Sequence, residues 1–296
     1  MKTMAGRKDG QQSSVVLIVY LFLMVGALVS LGPFIWMILT SLKPSNEVLV
    51  YPPRLFPSRW MWGNYIAAWQ SADFGLYFRN SLVYMVFGTL GCLIISSLAG
   101  FGFARHEFAG RDLMMALVVG TMMIPLQVRL IPLFIMMKNV PFAGGNNWLG
   151  QGGTGLHDTF AGLILPTTAS GFGIFLFRQF FLTLPRELED AARIDGCSEF
   201  EIYWRIFVPL AKPAFAVLSI FCAQWTWNDF LWPLVITMSK DMRTVQIGLQ
   251  TFRQENVILW EMLMAATVIS TIPLIIIFLL GQRYFEQGIA FSGIKG

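Results

Sequence analysis

Charged residues along this chain cluster at intervals, and the apolar stretches between them are long enough to cross a lipid bilayer. From Gly10 to Leu42 there are 33 residues without a single Asp, Glu, Lys or Arg. A helix rises about 1.5 Å per residue, so about 20 apolar residues cross a hydrocarbon core about 30 Å thick. The pattern predicts six spans, within Val15–Leu39, Asn80–Ala104, Leu113–Ile135, Thr159–Phe177, Pro213–Met238 and Met262–Leu280. In lipid the backbone must satisfy its own hydrogen bonds, so each span is predicted to be a helix. The expected fold class is all-α, a polytopic membrane protein with six transmembrane helices.

Two of these spans are interrupted. The third carries Pro125, Arg129 and Pro132, and the fifth carries Asp229 and Pro233. Prolines in a span mark breaks where protein or a water-filled cavity covers the freed backbone. A charge inside a span either marks a pathway or snorkels to the interface. The fifth span also offers Trp225, Asn228 and Trp232 beside Asp229. Aromatic faces and short polar groups together suit a sugar, and tryptophans near a helix end equally suit the interfacial belt.

Composition supports the membrane reading. The chain is 55% hydrophobic and 13% charged, against about a quarter charged in soluble domains. Its net charge of +4 sits in short loops rather than in a nucleic-acid patch, so no nucleic-acid partner is expected. With both ends inside, 12 of the 21 Lys and Arg residues fall on the cytoplasmic side, which favours cytoplasmic termini. The apolar run near the N-terminus is far longer than the about 7–15 residues of a signal peptide, so an uncleaved span is expected. Cys92, Cys197 and Cys222 form no Cys-x-x-Cys pair, and His106 and His157 are far apart. Neither a disulfide framework nor a metal site is predicted. There is no Gly-Lys dipeptide, so no phosphate-binding loop of the Walker type exists. No cofactor and no enzymatic chemistry are expected.

One stretch breaks the apolar pattern. Arg178 to Lys212 holds 11 of the chain's 38 charged residues. It reads as two short helices. Thr183 and Pro185 open the first, with i,i+4 pairs Arg186–Asp190 and Glu189–Arg193. Leu188, Ala191 and Ala192 form a narrow apolar stripe. Gly196 stops the first helix, and Ser198 to Glu201 reads as a capping box for the second. The Gly- and Asn-rich segment from Pro141 to Asp158 is not expected to form helix or buried strand. It reads either as a flexible connector or as a contact for a binding protein.

"ELEDAARIDG", followed after a gap by "IFVPL", resembles the EAA loop of permease subunits of ATP-binding-cassette importers. "FLFRQFFLTLP", "WNDFLWPL" and the ending "GIAFSGIKG" are similar to the MalG-type carbohydrate branch. Asp190 stands where that motif has glutamate, with Glu189 before it, and Val208 replaces a leucine. The resemblance implies a type I importer permease fold whose coupling helices dock on a cytoplasmic ATPase. It implies coupling residues Glu189, Asp190, Ala191, Ala192, Asp195 and Gly196, with Asp190 pairing a base on the ATPase. It also implies a C-terminal tail, Gly293, Lys295 and Gly296, that meets the ATPase subunits. The implied partners are a second permease, two ATPase copies, an extracytoplasmic binding protein and the lipid bilayer of a plasma membrane. Residues 1–14 and 283–296 are then cytoplasmic tails around a domain at 15–282, with the coupling loop at 183–212. A glycerol-3-phosphate permease shares these features. A self-powered secondary transporter lacks support, because no internal repeat is visible.

Overall fold

The computed structural model describes residues 5–253 and 258–293. Among the described residues the regular structure is helical, apart from one isolated bridge between Arg253 and Ile258. The chain divides into two compact units, Met1–Ser71 with Phe252–Ile269, and Ala72–Thr251 with Ser270–Gly296.

The first unit begins with α1 (Ala5–Ser41), whose most apolar window, within Val19–Ser41, has a mean hydropathy of 2.2. The Asn64 amide donates to the carbonyls of Ser41 (2.9 Å) and Lys43 (3.0 Å), closing the helix end. Asn64 lies on α2 (Gly63–Gln70). Lys43 is buried, donates to the Arg54 carbonyl (2.6 Å) and lies 4.5 Å from the centre of the Trp36 ring.

The second unit is built around α3 (Phe74–Arg105). α4 (Arg111–Met122) and α5 (Leu126–Lys138) meet at 109°. Pro125 offers no N–H and holds the residue before it out of the helical region, so the helix cannot run through. α6 (Phe160–Thr168) and α7 (Gly171–Leu182) form one span of 23 residues, Phe160–Leu182. The Ser170 hydroxyl accepts the Gly173 N–H (3.1 Å) and restarts α7 after the break. α8 (Glu187–Ile194) and α9 (Glu199–Ile202) follow. A π turn (Tyr203–Phe207) and α10 (Val208–Leu210) lead to α11 (Lys212–Asn228), bent by 78° at Ala211. Pro209 has no N–H to close the normal bond to the preceding turn, and the ladder rearranges just before it. α12 (Leu231–Ile236) and α13 (Val245–Leu249) precede α14 (Trp260–Gly293).

Among the described residues four helices are long and apolar enough to cross a membrane, and up to six if each bent pair counts as one span. The all-α polytopic expectation therefore holds. Two boundaries differ from expectation. The fourth span continues past Arg178 to Leu182, and the fifth ends at Asn228 instead of reaching Met238. The break comes at Asp229, in extended conformation (φ −69°, ψ 121°), before Pro233 is reached.

α3 packs closely on α7 and α11 because its contact faces are small. A Cβ on Gly100 would lie 2.5 Å from the Phe177 Cβ and 2.9 Å from the Arg178 backbone nitrogen. Without a hydrophobic drive between helices in lipid, such close backbone approach and interhelical hydrogen bonds supply the cohesion. The Ser97 and Tyr203 hydroxyls meet at 2.7 Å, and the Trp227 indole donates to the Ser270 carbonyl (2.9 Å). Cys92, Phe101, Phe177, Phe181, Phe207 and Leu218 form the core at the loop end of these helices.

Candidate functional site

The charged stretch forms the two short helices that its sequence predicts, with one changed cap. Thr183 does not open α8. Its hydroxyl donates to the Phe180 carbonyl (2.7 Å) and finishes α7. The preceding chain is still helical there, and the same Phe180 carbonyl also accepts the Thr183 N–H (3.0 Å). Gly196 lies at φ +82°, and the Cys197 N–H closes on the Ala192 carbonyl (3.0 Å). This left-handed turn costs glycine nothing. The capping box is present: the Ser198 hydroxyl accepts the Glu201 N–H, and Glu201 accepts the Ser198 N–H (3.0 Å).

α8 has two faces with different roles. Glu189 and Ala192 point inward, 4% and 5% exposed. Asp190, Ala191, Asp195 and Gly196 are exposed. The six residues assigned to coupling therefore do not share one face. The expected apolar stripe divides as well, with Ala192 inside and Leu188 and Ala191 outside. The outward apolar groups are Ile194 (86% exposed), Phe200 and Trp204, none of which the sequence reading singled out. Their signal was available: three large apolar residues stand in a charged stretch.

Arg193 holds the two short helices together. It pairs with Glu199 (2.9 Å), Glu189 (3.4 Å) and Asp190 (3.8 Å). Asp190 thus meets Arg193 in place of the expected Arg186, while the Glu189–Arg193 pair stands. The Arg193 hydrogen bond holds the Glu199 carboxyl below its usual value.

At the break in the fifth span the carboxylate of Asp229 ends one helix and starts the next. It accepts the Tyr84 hydroxyl (3.0 Å) and the Trp232 N–H (3.2 Å). The Trp232 indole is buried and donates to the Leu163 carbonyl (3.2 Å). Trp225 is half exposed, with its ring against Phe172 and Phe221. Asn228 is exposed and accepts from Gln246 (3.4 Å). Of the four pathway candidates, Trp225 and Asn228 reach a surface, while Asp229 and Trp232 serve the break. The helix stops at Asn228, so the 3.6-residue spacing no longer brings Trp232 beside them.

The segment from Pro141 to Asp158 follows a defined path. The Asn146 amide donates to the Lys138 and Val140 carbonyls (2.8 and 3.0 Å) and accepts the Gly153 N–H (2.8 Å). Asp158 accepts the N–H groups of Met238 (2.8 Å) and Ser239 (3.1 Å). Burial alone would raise its carboxyl, but these donors outweigh burial and hold it below the usual value. In the C-terminal tail Gly293 ends α14. Lys295 and Gly296 lie outside the described residues.

Apolar helices long enough to cross a bilayer, two bent pairs and a charged pair of short helices between them are the frame of a membrane transport subunit. The chain belongs to the family described as binding-protein-dependent transport system inner membrane component, matched over residues 92–291. It is 39% identical over 283 residues to the arabinooligosaccharides transport system permease protein AraQ of Bacillus subtilis, covering 93% of this chain and 94% of that one. It is 32% identical to the sn-glycerol-3-phosphate transport system permease protein UgpE of Yersinia pestis, covering 92% and 95%. Among solved structures, a chain of a bacterial ABC transporter involved in import of the acidic polysaccharide alginate shares its fold. That match has a TM-score of 0.75 at 24% identity and covers 96% of this chain and 99% of the other.

Proposed function

We propose that this chain is one of two permease subunits of an ATP-driven importer that carries a carbohydrate across a plasma membrane. One observation carries the reading. On a chain otherwise apolar, Asp190, Ile194, Phe200 and Trp204 are exposed polar and apolar groups on the two short helices and the π turn that follows them. Such a surface suits a protein partner rather than lipid. The partner is a cytoplasmic ATPase present in two copies, and both termini of this chain lie on its side of the membrane. Asp190 pairs with a base of the ATPase, and the tail at Gly293, Lys295 and Gly296 reaches the ATPase pair. The domain at 15–282 forms the pathway with a second permease, and an extracytoplasmic binding protein delivers the substrate. The AraQ relative favours an oligosaccharide, for which the exposed Trp225 ring and Asn228 amide supply a stacking face and a polar contact.

The test is uptake by the complete complex in proteoliposomes, with its binding protein and ATP. Uptake of a labelled arabino-oligosaccharide that stops without ATP supports the proposal. ATP-dependent uptake of glycerol 3-phosphate instead supports the second reading, which the UgpE relative favours and for which the exposed Arg129 offers an anion contact. Movement of neither, or uptake without ATP, overturns the carbohydrate reading.

A further inference from the structure

Arg105 ends α3, the second membrane helix, and its guanidinium joins three other parts of the chain. Nη2 donates to the carbonyls of Phe181 (2.6 Å) and Leu184 (2.7 Å), at and just beyond the end of α7. Nε faces the Glu189 carboxylate on α8 at 2.9 Å. The guanidinium also lies 4.8 Å from the centre of the Phe207 ring, in the π turn before α11. Both charged side chains are nearly sealed from solvent, at 3% and 5% exposure. Glu189 in turn meets Arg193, which holds Glu199 on the second short helix.

This burial separates two adjacent carboxylates. Asp190 is exposed and open to a partner. Glu189 is buried by its own chain, so an ATPase surface docked on α8 does not reach it. A buried ion pair adds little net stability, because desolvation offsets the attraction, but it demands one geometry and strands a charge if one partner is lost. Arginine suits the position because its planar fork serves two carbonyls and a carboxylate together.

We propose that Arg105, through Glu189, is the positioning residue that makes the second and fourth membrane helices follow the coupling helices. The proposal rests on the importer reading above. Docking depends on the outward face of α8, and transmission depends on the inward face. When the ATPase displaces α8, the Arg105 fork carries α3 and the end of α7 with it. Without the fork, α8 still docks but shifts on its seat, and ATP is spent without movement of the spans.

The experiment uses the whole complex carrying Glu189→Gln, Arg105→Lys, both together, or Asp190→Asn. Three quantities are read: ATPase subunit retained in a pull-down, substrate moved per ATP hydrolysed, and the ATP-driven change in distance between spin labels at Leu98 and Leu234. Glu189→Gln and Arg105→Lys are expected to retain the ATPase fully and lose about tenfold in substrate per ATP. The label shift should shrink in parallel. The double variant should be no worse than the poorer single variant, because the pair acts as one unit. Asp190→Asn, on the outward face, should instead lose ATPase from the pull-down. An unchanged ratio in Glu189→Gln, additive losses in the double variant, or loss of assembly in step with uptake would each overturn the proposal. If the unaltered complex moves none of the sugars offered, the carbohydrate reading falls, and the ATP-driven label shift still decides the role of Arg105.

Discussion

α1 and α3 are nearly indistinguishable by hydropathy, with means of 2.2 and 2.1 over their most apolar windows, yet 0% of one window and 39% of the other is buried within the chain. The difference lies in the small and polar residues. α3 presents Gly88, Gly91 and Gly100 with Ser96 and Ser97, and side chains of α6, α7 and α11 stand against those glycines. Gly26 and Gly32 of α1 have nothing within 4 Å of a would-be Cβ. Apolarity therefore marks a helix that belongs in a membrane, and the spacing of small residues marks one that other helices of the same chain grip.

The sharpest way to break this comparison is one substitution made on each helix. Gly100→Leu drives a side chain into the Phe177 and Arg178 backbone, at or above the upper end of the about 1–3 kcal/mol typical of overpacking. No folded complex should be recovered in detergent. Gly26→Leu should elute and transport as the parent does. Normal recovery of Gly100→Leu would remove the distinction.

Ser97→Ala tests the polar part of the α3 seam. It leaves the buried Tyr203 hydroxyl without its partner, at a cost of about 1–3 kcal/mol. A lowered Tm of the purified complex is expected, and an unchanged Tm would mean that packing alone holds the seam.

Gly196→Leu separates backbone strain from packing, because nothing lies near its would-be Cβ but its φ is +82°. The left-handed conformation costs a side chain about 1–2 kcal/mol. Transport by Gly196→Leu should fall while Gly196→Asn stays close to normal. Equal activity of the two would show that the turn is not held at positive φ.

The smallest effect concerns Asp158. Its folded-state pKa is depressed, so its contribution is present above the unfolded value of about 3.9 and is lost as pH falls through the lower folded value. Asp158→Asn should cost about 1 kcal/mol at neutral pH. The gap in Tm from the parent should close below about pH 4. A gap that does not change with pH would show that the charge is not what holds the Met238 and Ser239 N–H groups.

The helical class, the approximate place of the apolar segments and the helix–Gly–helix form of the charged loop were all legible in the sequence alone. Each follows from local rules: run length against bilayer thickness, a capping box, and a glycine where the chain must turn left. Side-chain direction within those elements was a different matter. Adjacent carboxylates look equivalent in "ELEDAAR", and only packing sends Glu189 to Arg105, 84 positions earlier in the chain, while leaving Asp190 in solvent. Arg105 was visible merely as the end of a charge-free window, since its carbonyl partners are backbone atoms that no residue type announces. The end of the fifth span was hidden for the same reason. Asp229 stops the helix because Tyr84 and the Trp232 N–H converge on it, and convergence between segments 145 residues apart is a property of the folded chain.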